Sequence, residues 1–344
     1  MMKYIPALDG IRAIAILLVL IFHWFPTNHW INTIPNGPVG VTLFFVLSGY
    51  LITSILLSQR ESQTFAKSFG NFVVRRALRI FPIYYAVLTS LLVLKSFGIQ
   101  IVSDFYEHPG YYWTYLYNHW LEQSQNWSDM LSPYWSLSVE EQFYIIWPVL
   151  ILGISSRRRL LSVLWATTLL GMVARFVLIH QYSGIGVYMI TCVDTFAWGG
   201  LLAYYIREGK EEQVRSFAKW LIPLALVGFL ITTLLMSDLN LGKQLFFRTF
   251  TSILSAGLIL AALKSGFLSQ VLSFRPLREI GKVSYGLYLY HMLIPDLFYQ
   301  LMNRLHISIH DPFHIYGIIA LFSFSFISYQ LFEKPIQSLK RYFV

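Results

Sequence analysis

The chain reads as an all-α, polytopic membrane protein, and three observations predict that class. It is 56% hydrophobic and only 12% charged, where soluble domains carry about 25% charged residues. Uncharged stretches of about 18–20 residues recur along it, the length that crosses a hydrocarbon core. Lysines and arginines gather on alternate connections between those stretches, which fixes a topology. The expectation is a single domain over residues 1–344, with about ten transmembrane helices around a central cavity and both termini cytoplasmic.

The spans fall roughly at 10–25, 39–57, 80–97, 140–154, 160–179, 186–205, 218–236, 245–263, 284–302 and 313–332. Connections after the second, fourth, sixth and eighth carry the positive charge. They include Arg60, Lys67, Arg75 and Arg76, then Arg157, Arg158 and Arg159, then Arg207, Lys210 and Arg215, then Arg275, Arg278 and Lys282. Lys334, Lys340 and Arg341 add to the C-terminal side, whereas the 98–139 connection carries Asp104, Glu107, Glu122 and Asp129. The net charge of +9 is therefore explained by cytoplasmic anchoring and calls for no nucleic-acid partner. No small-residue cleavage site follows the first apolar segment, so no cleavable signal peptide is expected. The single cysteine, Cys192, excludes an intramolecular disulfide.

In span one, ten uncharged residues separate Arg12 from His23. A helix sets them roughly 16 Å apart along its axis, which puts His23 past mid-membrane, in the outer half. An ionisable group at that depth is either functional or an interfacial residue beside Trp24. Span two contains Ser48-Gly49, a small pair that lets helices approach closely. At the start of span three, Arg76 and Arg79 stand one turn apart on one face, with Arg75 and Arg79 similarly placed. Two guanidiniums on one face make a phosphate clamp, and positive-inside anchoring is the alternative.

The 98–139 connection is rich in aromatics, among them Tyr111, Tyr112, Trp113, Tyr115, Tyr117 and Trp120. Aromatics stack on sugars, but an interfacial belt is the expectation for most of these. Span four opens with Ser136, Ser138, Glu140 and Glu141. A serine cap answered by one glutamate would form a capping box, which leaves the second acid unexplained. Both acids share the outer half with His23, where a carboxylate can orient an imidazole acting as a base. Asp194 in span six is a buried acid suited to pair with Arg175 on span five, and His291 in span nine either lines a cavity or bonds structurally. Zinc-ligand spacing, a P-loop and Gly-x-Ser-x-Gly are absent, so no metal and no nucleophile elbow are expected.

Leu8–Ala13 with His23, the Phe44–Leu51 stretch, Arg76-x-x-Arg79, Trp135–Tyr144 and Ser284–His291 together resemble the acyltransferase-3 family, in order and over nearly the whole chain. These are bacterial integral membrane acyltransferases that include O-acetyltransferases of surface polysaccharides. The resemblance implies a multi-pass protein of the bacterial cytoplasmic (inner) membrane. It implies acyl transfer from cytoplasmic acyl-coenzyme A, acetyl by family frequency, as a co-substrate rather than a tightly bound cofactor. The acceptor would be a hydroxyl of a cell-surface or lipid-linked glycan. The family's Arg-x10-His pattern falls on Arg12 and His23, its Arg-x-x-Arg pattern on Arg76 and Arg79, and its Trp-Ser-Leu acid on Glu140 rather than Glu141. Arg12, Arg75, Arg76 and Arg79 would hold the donor's phosphates. His23 would act with Glu140 and Glu141, as a general base or through an acyl-histidine relay. No additional C-terminal hydrolase-like domain is expected, since the chain ends soon after span ten. A transporter or flippase for a glycolipid is the rival class; it would use the same intramembrane charges but is favoured by inverted repeats, which the sequence does not display.

Overall fold

The computed structural model describes residues 4–26, 29–179, 185–238, 240–307 and 314–343. Among these residues every regular element is helical, and eight helices are long and apolar enough to cross a membrane. They are α1 (Pro6–Trp24), α2 (Asn36–Arg60), α3 (Phe65–Ser96), α5 (Arg157–Leu178), α6 (Met189–Arg207), α7 (Glu211–Leu230, extended by a π turn to Leu235), α8 (Leu241–Ala262) and α12 (Ile315–Ser328, continuing to Tyr342). The chain is a multi-pass membrane protein. Residue 313, where the last span was expected to begin, lies outside the described residues.

Several of the ten expected spans differ: α3 is helical from Phe65 rather than from residue 80, and α7 from Glu211 rather than from 218. The fourth is α4 (Tyr134–Gly153), which begins six residues early and carries Glu140, Glu141 and Gln142 in its first half. The ninth is not one helix but two, α10 (Ser284–Tyr290) and α11 (Leu293–Arg304), with α9 (Arg275–Lys282) before them. Pro295 supplies the reason: it has no amide hydrogen to offer the His291 carbonyl four residues back, so a continuous helix would lose that bond.

The chain forms two compact units, residues 1–69 with 139–282 and residues 70–138 with 283–344. In the first, Leu8, Ile11 and Ala15 of α1 pack with Leu43, Val46, Leu47 and Tyr50 of α2. Close approach depends on glycine, as expected of Ser48-Gly49. A Cβ on Gly49 would lie 2.1 Å from the Phe196 carbonyl oxygen, and one on Gly199 would lie 2.0 Å from that of Val46. The expected Arg175–Asp194 pair is present and buried. Arg175 Nη1 and Nη2 donate to the two Asp194 oxygens at 2.8 and 2.7 Å, Nη2 also to Thr249 Oγ1, Nη1 to the Thr191 carbonyl and Nε to the Leu245 carbonyl. Every guanidinium nitrogen is thus bonded, the condition for a tolerable charge in an apolar interior.

In the second unit the 97–133 connection is folded rather than draped. The belt expected of its aromatics is corrected for Tyr112, Tyr115 and Tyr117, which are buried. Tyr84 stacks on Tyr115 and Tyr112 on Tyr117, each pair with centroids 4.3 Å apart. Tyr84 donates to the Tyr112 carbonyl at 2.8 Å, and Tyr112 donates to Asp129. Asp129 also receives the Asp104 and Leu131 amides, so one carboxylate ties the connection together. Burial, reinforced by Tyr117 and Asp129, pushes the Tyr112 phenol pKa up and keeps it a donor.

Candidate active site

Helix α1 starts with proline in its first turn, where no amide partner is needed, and stops where Phe25 turns extended at φ −98°, ψ 143°. It is unbroken from Arg12 to His23. Eleven residues are close to three turns, so the two side chains leave the helix within about 20° of each other. His23 occupies the last turn and meets Phe22 edge-on at 5.1 Å. Arg12 pairs with Asp9 one turn earlier, and Asp9 accepts a second bond from Tyr4 Oη at 2.6 Å. Burial and the Asp9 bond push the Tyr4 phenol up to about 12. The Arg12 charge is therefore already balanced within its own helix.

The capping box expected at the start of α4 does not form. The helix begins at Tyr134, which leaves both serines inside it. Their hydroxyls bond back to carbonyls, Ser136 to Pro133 at 3.1 Å and Ser138 to Tyr134 at 3.3 Å, as serines within helices do. Ser136 also meets Tyr288 Oη at 2.6 Å. Glu140 has another partner: it accepts from Ser48 Oγ of α2 at 2.7 Å, with Tyr144 Oη 3.5 Å from the same hydroxyl. Glu141 is buried beside it in the sequence.

Register then places these groups. Helix α1 runs antiparallel to α2, with Phe22 against Gly37 and Ala15 and Val19 against Gly40. Helix α4 runs parallel to α2, with Glu140 on Ser48, Trp147 Nε1 on Thr53 at 2.8 Å and Ser155 receiving Arg60. Ser48 is twelve residues from the start of α2, roughly 18 Å along its axis. Glu140 thus stands toward the Arg12 end of α1, and the shared depth expected for His23 and Glu140 is corrected. Inter-helix register, which local sequence does not encode, decided the difference.

In the second unit Arg75, Arg76 and Arg79 lie on α3. Arg76 sits over the Phe72 ring at 5.6 Å, Arg75 reaches the Phe343 carbonyl at 3.5 Å, and Arg79 is in electrostatic contact with Glu333. His291 is buried at the α10–α11 break, its Nδ1 2.6 Å from the Tyr288 carbonyl. The sequence marked Ser48 only as a small residue for helix approach and Asp9 only within the Leu8–Ala13 stretch; the bonds they make to Glu140 and to Arg12 were not foreseen. Asp9 left a signal, an acid three residues before Arg12 on one helix face; Ser48 left none.

The apolar helical spans define an integral, multi-pass membrane protein. Residues 5–331 match the acyltransferase-domain profile of acyltransferase-3, and the chain belongs to that family. It is 29% identical to the peptidoglycan O-acetyltransferase OatA of Listeria monocytogenes, over 97% of this chain and 56% of that protein. It is 32% identical to YrhL of Bacillus subtilis, provisionally named a peptidoglycan O-acetyltransferase, over 98% of this chain and 55% of that one. A Staphylococcus aureus protein provisionally named an O-acetyltransferase is 30% identical over 98% of this chain and 58% of its own length. The chain thus spans a little over half the length of these relatives. No solved structure matches it.

Proposed function

We propose that the protein transfers an acyl group, acetyl by family frequency, from cytoplasmic acyl-coenzyme A to a hydroxyl of a cell-surface or lipid-linked glycan. The observation that carries this reading is the Arg12–His23 pair on one face of an unbroken helix in a chain of this family. The names of the relatives favour peptidoglycan as the acceptor. The protein would lie in the bacterial cytoplasmic membrane with both termini inside, as the alternation of basic connections requires.

In this mechanism Arg76 and Arg79, supported by Arg75, bind the donor's phosphates through charged hydrogen bonds. Arg12, already paired, contributes its position more than its charge. His23 removes the acceptor hydroxyl's proton as the oxygen attacks the thioester carbonyl; the coenzyme thiol leaves and the proton is returned to it. Glu140, held by Ser48 well away from the end of α1 that bears His23, is a polar contact for the donor's amide-bearing arm rather than the orienting partner of the imidazole. Glu141, buried, supports it.

The test is transfer of labelled acetyl from acetyl-coenzyme A to peptidoglycan fragments by the protein in lipid nanodiscs. Label on the glycan, lost in the Arg76→Ala, Arg79→Ala double variant, is expected. Binding of the glycolipid with transport across the bilayer and no acetyl transfer would replace the reading with a flippase.

A further inference from the structure

The segment after α12 returns to α3. A π turn at Tyr329–Glu333 leads into α13 (Lys334–Ser338) and a final 3-10 turn, Leu339–Tyr342. The Arg75 guanidinium reaches the Phe343 carbonyl at 3.5 Å, which docks this turn onto α3. Lys340, one turn before Phe343, then lies in electrostatic contact with Arg75, Arg76 and Arg79 at once, and its Nζ donates to Gln337 Oε1 at 3.2 Å.

The acid facing this group is Glu333. It is 4% exposed and in electrostatic contact with both Arg79 and Lys340. Among the described residues its Oε1 has no hydrogen-bond partner. It is crowded against α10, where a Cβ on Gly286 would stand 3.1 Å from that oxygen. π turns interrupt helices at a cost and concentrate at functional sites. This one ends at the carboxylate.

Arg75, Arg76 and Arg79 thus gather about Lys340, with the Glu333 carboxylate beside Arg79 and Lys340. A basic cluster of this kind suits a polyanion, whose phosphate oxygens accept charged hydrogen bonds. We propose that Lys340 completes, with Arg75, Arg76 and Arg79, a binding cluster for a multiply phosphorylated ligand, in which Glu333 is the resident counter-charge that the ligand displaces electrostatically. The inference rests on the reading of the donor as acyl-coenzyme A and extends it to two residues of the C-terminal segment. The chemistry is that of a polyphosphate, whether borne by a nucleotide or by a lipid headgroup.

Binding of coenzyme A and of pantetheine, which lacks the phosphates, to the protein in zwitterionic nanodiscs tests it. Lys340→Ala should weaken coenzyme A about tenfold, the loss of one charged hydrogen bond, and leave pantetheine unchanged. Lys340→Arg should retain affinity, and Glu333→Gln should tighten coenzyme A. The Lys340→Ala effect should shrink as salt is raised. If Arg79→Ala weakens coenzyme A and Lys340→Ala does not, the role of Lys340 is overturned while the donor site stands. Weaker binding in Glu333→Gln overturns the counter-charge. If coenzyme A fails to bind the unaltered protein while anionic-lipid vesicles bind it and lose that binding in Arg79→Ala and Lys340→Ala, the ligand is a lipid headgroup and the donor reading itself fails.

Discussion

Ser48 of α2 donates to the Glu140 carboxylate of α4 at 2.7 Å, and this bond holds the acid that the sequence placed at the depth of His23. A bond to a charged acceptor contributes roughly 1.5–3 kcal/mol, enough to fix the carboxylate's position. Glu140→Ala should raise the donor's KM about tenfold with a smaller change in kcat. Glu140→Gln, which still bonds amides, should recover most of it, and Ser48→Ala should give a weaker version of the alanine phenotype. Steady-state kinetics with varied acetyl-coenzyme A decides the matter. A fall in kcat at constant KM would return Glu140 to the chemical step.

The glycine contacts between α2 and α6 give a stability prediction. The atoms facing Gly49 and Gly199 are backbone carbonyls, which cannot rotate aside as a side chain can. Gly49→Ala should therefore push the helices apart and strip contacts from the Val46–Leu47–Tyr50 part of the core. Thermal unfolding in detergent should show a midpoint lowered by several degrees, of the order expected from overpacking costs of about 1–3 kcal/mol or more. An unchanged midpoint would mean that α2 and α6 pack less closely than described.

The buried Arg175–Asp194 pair separates stability from activity. Removing one partner strands a charge, at a typical cost of about 3–5 kcal/mol. Asp194→Asn and Arg175→Met should each destabilise strongly, and Arg175→Met with Asp194→Leu should cost less than the two single effects added. Transfer per folded molecule should stay near normal in all of them. Specific activity lost in a still-folded single variant would give the pair a part in the reaction.

These cases also mark what the sequence could disclose. Arg175 and Asp194 were legible as a pair because an acid and a base in neighbouring apolar spans have few other partners. The Arg12–His23 face was legible because helix geometry is local. The break at His291 had a readable cause in Pro295, yet the apolar run around it hid the interruption. Tyr112 and Tyr117 read as belt residues because burial beneath a folded connection depends on Asp129, which is distant in sequence from Tyr84. Glu140 misled for the deepest reason: the depth of a residue in its own helix is local, but its neighbour is chosen by the sliding register of helices.

His23 carries the last prediction. It shares a helix face with Arg12, stands in the final turn of α1, and by loop charge that turn is the outer one. On the proposed reaction, a donor supplied from the cytoplasm and an acceptor outside it would need a base toward the outer side of the bilayer, and His23 is the residue proposed for it. His23→Ala should abolish transfer, with losses of about 10² to 10⁴ in rate, while coenzyme A still binds with near-normal affinity in nanodiscs. His23→Gln, which keeps a polar side chain but cannot take the proton, should be as inactive as alanine; that outcome separates proton transfer from packing against Phe22. Near-normal transfer by a correctly inserted His23→Ala protein would make His23 structural. The base would then have to be sought elsewhere, and His291, buried at its helix break, would be the next residue to replace.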